Sequence, residues 1–317
     1  MTLDKDRVLP IIKAALKEDI GKGDITTSAL INNFASSKAS IIVKDDCVVC
    51  GLVIAEWAMA QVDYSVRFKP NCKDSAFVGS GKEIIYLEGH TASILRAERT
   101  ILNFLTFLSG IATSTKQFVD KAKPYGVKIL DTRKTIPLLR YLEKYAVFTG
   151  GGTNHRMGLY DQALIKDNHI KAYSVERLPA ASQLIRRQAG LPAASQLIRR
   201  QAGIAYSEKN RLKNLIEMAR KKSLKGAVIE IEVTTIEEFN DALAGKPDII
   251  MLDNMSSRDV KACVEIRRLS KAKPLLEVSG GISPETIEEY AKTRVDMISI
   301  GSLTASVKSI DMSLEVI

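Results

Sequence analysis

The sequence has no apolar run approaching the length of a membrane span, and its first residues, MTLDKDRVLP, lack the hydrophobic stretch of a secretory signal. A cytoplasmic protein with no membrane partner is the expectation. Cysteine is scarce: Cys47, Cys50, Cys72 and Cys263 in 317 residues, which without a signal are most simply reduced thiols. Cys47 and Cys50 form one C-x-x-C, but it lies in the apolar, strand-like run IIVKDDCVVCGLVIAEW with no second ligand pair nearby, which argues against zinc or redox chemistry there. Acids are nearly missing from residues 175–207, where Glu176 stands against five arginines, so this segment carries +4 of the net +9. The remaining excess is concentrated near one stretch, a pattern that fits a small polyanionic substrate better than a duplex-sized patch, and no nucleic-acid partner is expected. With 45% hydrophobic and 26% charged residues the chain can bury a full core, and its length suggests two domains.

That stretch is 131–169, DTRKTIPLLRYLEKYAVFTGGGTNHRMGLYDQALIKDNH. It holds two of the three histidines, His155 and His169, among Arg133, Lys134, Arg156 and Lys166, around the triple glycine 150–152. The cations follow short apolar runs (VKIL before Asp131, ALI before Lys166), where a buried strand would end and a loop begin. The stretch therefore reads as an anion-binding active site.

Residues 5–20 space their apolar positions as an amphipathic helix, followed by a Gly-rich turn with Asp24 or Thr26 as a cap. From Ser40 to Glu88 short β-rich runs alternate with turn residues, which predicts a small antiparallel sheet. Residues 91–122 predict one long helix, or two joined near Gly110. On it Arg99 shares a side with Leu95, Leu102 and Thr106 in an apolar segment, so it must pair, for instance with Glu98, or face an anion. From 127 onward six apolar runs separated by helical stretches mark β/α units on a parallel sheet. They are VKIL, ALI, AVIEIEV, DIIML, LLEV and DMISI. Each is followed by polar or glycine residues, and in a β/α barrel those C-terminal ends form one mouth. Ser279-Gly280-Gly281 and Gly301-Ser302 offer open backbone N–H groups where barrels often hold a phosphate. Glu232 and Asp253 are carboxylates fit for Mg²⁺ or sugar hydroxyls, while Glu230, two places earlier, shares the face of Glu232 and is suited to neutralising a barrel lysine.

LPAASQLIRRQAG occurs at 178–190 and again, identically, at 191–203, and Ala-Tyr-Ser stands on both sides at 172–174 and 205–207. Residues 175–207 therefore read as a duplicated insertion, too short for a solenoid. Each copy can form a short helix, with Gly190 ending the first and Pro192 near the start of the second.

The motifs EDIGKGDIT, AERTILNFL, DTRKT, GGGTNHRMGLYD, LIKDNHI, IEVT, IMLDNM, EVSGGI and ISIGSLT, in that order, resemble the quinolinate phosphoribosyltransferase family across most of the chain apart from 175–207. The resemblance implies an N-terminal open α/β sandwich (1–110, with a tail of about 303–317 packing back on it) and an incomplete six-stranded β/α barrel of the type II phosphoribosyltransferase kind (111–302). It implies a pentosyltransferase of NAD biosynthesis that joins phosphoribosyl pyrophosphate (PRPP) to quinolinate with decarboxylation, using Mg²⁺. Arg133, His155 and Arg156 would bind the quinolinate carboxylates, with Lys134 and Lys166 near the reacting groups. In a homodimer or higher oligomer, Arg99 would complete the neighbouring subunit's site. Glu232 and Asp253 would hold ribose hydroxyls and Mg²⁺, and Ser279, Gly280 and Gly301 the 5-phosphate. Asp167, Asn168 and His169 match the family motif without a defined duty. The departures are Thr153, Ile136, Leu138 and the insertion, none of which removes a charged site residue. The alternatives are a molybdenum-transport-type paralogue, a Schiff-base lyase using Lys166, and a basic non-enzymatic scaffold inactivated by the insertion.

Overall fold

The computed structural model describes residues 1–176 and 210–317, in two compact units. The tandem repeat 178–190/191–203, with Gly190 and Pro192, lies outside the described residues. The first unit comprises 1–123, 128–157 and 300–317; the second comprises 124–127 and 158–299.

In the first unit, α1 (Lys5–Ile20) is capped by Asp4, whose side chain accepts from the Asp6 N–H, and it buries Val8, Ile12 and Leu16 at the predicted helical spacing. Fully burying such a side chain stabilises by roughly 1.5–3 kcal/mol. Asp24 caps α2 (Ile25–Leu30) by accepting from the Thr27 N–H. The antiparallel sheet runs β12-β1-β5-β3, from β1 (Ser36–Val43), β3 (Arg67–Pro70), β5 (Glu83–His90) and β12 (Met312–Val316), with β2 (Cys47–Val48) and β4 (Phe77–Val78) as a separate pair. The chain's end joins its beginning: β12 pairs with β1 in the register Ala39↔Val316 to Val43↔Met312.

One sequence expectation fails here. The run through Leu52–Trp57, read as strand-like, forms α3 (Leu52–Val62), which buries Leu52, Ile54, Ala55, Ala58 and Met59. It is apolar nearly all round, and periodicity cannot distinguish such a segment from a buried strand. The long helix α4 (Thr91–Ala122) is continuous through Gly110. There a Cβ would lie 2.4 Å from the Lys308 carbonyl oxygen, so the glycine admits the backbone of the C-terminal tail rather than breaking the helix. The helix α4 runs across residue 110, and residues 128–157 cluster with the N-terminal elements. These include β6 (Lys128–Leu130) and α5 (Arg140–Thr149).

The six predicted parallel strands are all present: β6, β7 (Ala163–Ile165), β8 (Ile229–Val233), β9 (Ile249–Asp253), β10 (Leu275–Ser279) and β11 (Met297–Ser299), in the sheet order β6-β11-β10-β9-β8-β7. β6 and β7, consecutive in the chain, are the two edges, the strand order of an incomplete barrel. Between strands of the second unit lie α6 (Asp167–Glu176), α7 (Arg211–Lys222), α8 (Ile236–Ala244), α9 (Ser257–Leu269) and α10 (Ile287–Ala291), and α11 (Ser302–Ala305) belongs to the first unit. No helix among the described residues is long and apolar enough to cross a membrane.

Candidate active site

The first unit carries Arg99, Arg133, Lys134, His155, Arg156 and Gly301. Asp131, the last residue before the TRK loop, is fully buried and takes part in the contacts that shape this set. It receives the Lys144 ammonium and the His155 N–H (2.9 Å) on Oδ1, and the Asn154 amide (2.7 Å) on Oδ2. Burial pushes its carboxyl above the usual range, opposed by Lys144 and these hydrogen bonds. The His155 Nδ1 accepts from the Arg156 N–H at 2.8 Å, so the neutral imidazole carries its proton on Nε2. The Arg156 side chain is nearly buried, Arg133 is half-buried and Lys134 is exposed. The Lys134 stem crosses Gly301, where a Cβ would lie 3.0 Å from Lys134 Cδ. Thr304 Oγ1 donates to the Lys134 carbonyl at 2.7 Å, joining the loop to α11.

Two of the three glycines allow a close approach of neighbouring groups. A Cβ at Gly150 would meet the Ala112 carbonyl oxygen at 2.4 Å, and one at Gly152 would meet Val147 Cγ1 at 2.7 Å. Of the two options the sequence left for Arg99, pairing with a residue such as Glu98 or facing an anion, the first is not realised. Arg99 is exposed, and neither Glu98 nor any other described residue forms an ion pair with it. Of its neighbours, Leu102 is buried while Leu95 and Thr106 are half-buried, so Arg99 stands at the border of the apolar face.

In the second unit the parallel register places the remaining residues together. Leu164 pairs with Glu230, Glu232 with Met251, and Asp253 with Ser279, which pairs in turn with Ser299. Side chains paired in register share a face, and steps of two keep to it. Glu232, Asp253 and Ser279 therefore project to one side at the C-terminal ends of three adjacent strands, with Lys166 just beyond β7. The Lys166 ammonium bonds Glu232 Oε2 at 2.5 Å, so the lysine is paired with a carboxylate. Asp253 Oδ2 accepts from the Asn254 amide at 2.8 Å, and the Asn254 N–H donates to the Ser279 carbonyl at 2.8 Å. Glu230 and Glu277 are fully buried on the same face, two residues before Glu232 and Ser279 on their strands, and Glu230 accepts from the Gln162 amide.

His169 has a definite local task. Its Nδ1 accepts from the Lys166 N–H at 2.9 Å, three residues back at the start of α6, as a capping box does. Asp167 pairs with Lys171 one turn on, and both are exposed. The cysteines are free, and burial is the first cause of the raised thiols: Cys47 is pushed up to about 11 and Cys50 also rises. Both sit in surroundings that favour the neutral thiol.

Sequence reasoning missed Lys144 and Asn154. A lysine inside the amphipathic pattern LRYLEKYAV reads as surface charge, and only its partner Asp131, thirteen residues away, makes it a core residue.

The family model for the N-terminal domain of quinolinate phosphoribosyl transferase matches residues 24–109, and that for the C-terminal domain matches 111–191 and 197–315. A probable nicotinate-nucleotide pyrophosphorylase [carboxylating] of Methanocaldococcus jannaschii is 39% identical over 99% of this chain and 98% of its own length. The corresponding Bacillus subtilis protein is 36% identical over 94% of this chain and 90% of its own. A solved nicotinate-nucleotide pyrophosphorylase from Francisella tularensis covers all of this chain at a TM-score of 0.83 with 38% identity, over 98% of its own length. Motifs, fold and full-length similarity agree, and the chain belongs to the quinolinate phosphoribosyltransferase family.

Proposed function

We propose that this protein transfers the phosphoribosyl group of PRPP to quinolinate with decarboxylation, forming nicotinate mononucleotide, CO₂ and pyrophosphate in NAD biosynthesis. The observation that carries the reading is the polarity of the two residue sets. The first unit offers Arg133, His155 and Arg156, suited to a dicarboxylate. The second offers a row of Lys166, Glu232, Asp253 and Ser279 at adjacent strand ends, suited to a phosphorylated sugar.

In this reading the pyridine nitrogen attacks the anomeric carbon, a C–N bond forms, and the C–O electron pair departs with pyrophosphate. The C2 carboxylate then leaves as CO₂, its bonding pair stays on C2 beside the cationic ring nitrogen, and a proton replaces it. Arg133 and Arg156 would clamp the carboxylates, where bidentate, charge-assisted bonds fix the ring. Lys134 would meet the sugar phosphate or pyrophosphate oxygens, and Lys166 would balance charge beside Glu232. Glu232 and Asp253 would hold the ribose hydroxyls, their carboxylates stabilising the oxocarbenium charge. Their hard oxygens on neighbouring strands also fit Mg²⁺, which, bound mainly through PRPP, would neutralise the leaving pyrophosphate. Ser279, Gly280 and Gly301 would take the 5-phosphate through backbone N–H groups.

The reading includes a cytoplasmic homodimer in which Arg99 completes the neighbouring site. Its support is an exposed guanidinium with no described ion partner on α4, the helix that also lines a groove of about 540 Å³ through Thr100, Asn103, Phe104 and Phe107, with Glu18 and Asp19 on its other side.

The test is quinolinate consumption with CO₂ release, run with and without PRPP and Mg²⁺. Turnover should require both. Arg133→Ala and Arg156→Ala should each lower kcat/KM by at least 10²-fold, about 2.7 kcal/mol or more. Near-normal turnover in both variants would remove the dicarboxylate assignment.

A further inference from the structure

Lys144 and Asp131 are a fully buried ion pair in the first unit, with no exposed side-chain surface on either partner. Lys144 lies in the middle of α5, and its ammonium donates to Asp131 Oδ1 and to the His155 carbonyl at 2.9 Å. Asp131 Oδ1 also accepts the His155 N–H at 2.9 Å, so the backbone of one residue is held at both its donor and its acceptor. The Asn154 amide closes the network by donating to Asp131 Oδ2 (2.7 Å) and to the Lys144 carbonyl (2.8 Å).

A buried ion pair must recover a large desolvation cost, and well-packed apolar side chains of similar volume often replace such a pair without loss of stability. Stability alone therefore does not account for it. The pair adds direction: its bonds end on residues 154 and 155, immediately before Arg156. Asp131 itself lies two residues before Arg133. His155 then passes the constraint on, because its Nδ1 accepts the Arg156 N–H.

We propose that Lys144 is a positioning residue which, with Asp131 and Asn154, fixes the peptide at His155 and so aims the His155 imidazole and the Arg156 guanidinium at the dicarboxylate. This rests on the functional reading above; Lys144 acts through its neighbours and touches no substrate.

Three variants test it: Lys144→Met, Asn154→Ala, and the double variant Lys144→Met/Asp131→Leu, which removes both charges together. Each is measured by thermal midpoint, by steady-state kinetics with quinolinate and PRPP varied separately, and by ¹⁵N NMR of the His155 imidazole, assigned by His155→Gln. Lys144→Met alone should fold poorly, because it leaves Asp131 buried without its cation. The double variant should melt within a few degrees of the wild type. Its KM for quinolinate should nevertheless rise at least tenfold, with the PRPP KM changed less than threefold and the His155 Nδ1 resonance displaced. Asn154→Ala should move the same readouts in the same direction by less, and decides the matter if the double variant does not fold. A stable variant with an unchanged quinolinate KM and an unmoved His155 signal would overturn the proposal, as would an equal rise in both KM values. Failure of the wild type to consume quinolinate would instead sink the functional reading, and the His155 resonance would still decide whether the network aims that ring.

Discussion

Gly280→Ala is the substitution whose consequence can be worked most fully from the structure. Gly280 follows β10 with φ +96°, a conformation that an L side chain rarely adopts. Strain of this kind costs roughly 1–3 kcal/mol. A Cβ there would also lie 2.2 Å from Asn254 Oδ1 and 3.0 Å from the Asn254 backbone nitrogen. The amide can swing aside only by giving up its 2.8 Å bond to Asp253, and the backbone contact persists, because the Asn254 N–H is tied to the Ser279 carbonyl. Adding roughly 1 kcal/mol for the overpacked contact gives a loss of about 2–4 kcal/mol. At about 2.1 cal/mol/K of unfolding entropy per residue, this lowers the thermal midpoint by roughly 3–6 °C. The wedge opens between the ends of β9 and β10, so the KM for PRPP should rise at least tenfold while the KM for quinolinate changes less than threefold. Calorimetry and two-substrate kinetics read both effects. An alanine variant with the wild-type midpoint and PRPP KM would refute the steric argument and the phosphate assignment together.

Glu143 predicts a pH dependence. It is fully buried on α5, accepts the Ile136 N–H at 3.0 Å, and burial raises its carboxyl to about 7, against the hydrogen bond from Ile136 and the nearby Arg140. The folded value lies above the unfolded one near 4.5, so the folded state holds the proton more tightly. Its contribution is fully present below about pH 4.5 and is lost as pH rises through about 7. Glu143→Gln, which keeps the acceptor for Ile136, should flatten that decline, of order 1–3 kcal/mol, in midpoints measured from pH 5 to 8. An unchanged slope would exclude Glu143 as its source. Gly110→Ala should destabilise the first unit by roughly 1–3 kcal/mol through its contact with the Lys308 carbonyl. Faster proteolysis within 306–317 would report it, and cleavage at the wild-type rate would show that the close approach is unimportant.

Local chemistry was enough to read much of this protein from its sequence. The 3.6-residue spacing in 5–20, the six apolar runs after residue 127 and the polar or glycine residues at their ends are short-range signals, so α1, the parallel strands and the row Lys166, Glu232, Asp253 and Ser279 were legible. The resemblance, carried by contiguous motifs, assigned the family. Other features depend on what lies far away in sequence but near in space. Leu52–Val62 is helical and buries Leu52, Ile54, Ala55, Ala58 and Met59, although its sequence is apolar on nearly every side and so carries no clear period. Gly110 and Gly150 are required by backbones that cross them, and β12 closes the first sheet from the opposite end of the chain. Arg99 is exposed on a helix whose sequence suggested enclosure, while Lys144, which looks like surface charge, is buried against Asp131. Burial and pairing are properties of the packed chain, and a charge is placed by the partner that offsets its desolvation. The residue types at the candidate site could therefore be read in advance, but the burial of Lys144 and its pairing with Asp131 were decided only by the tertiary structure.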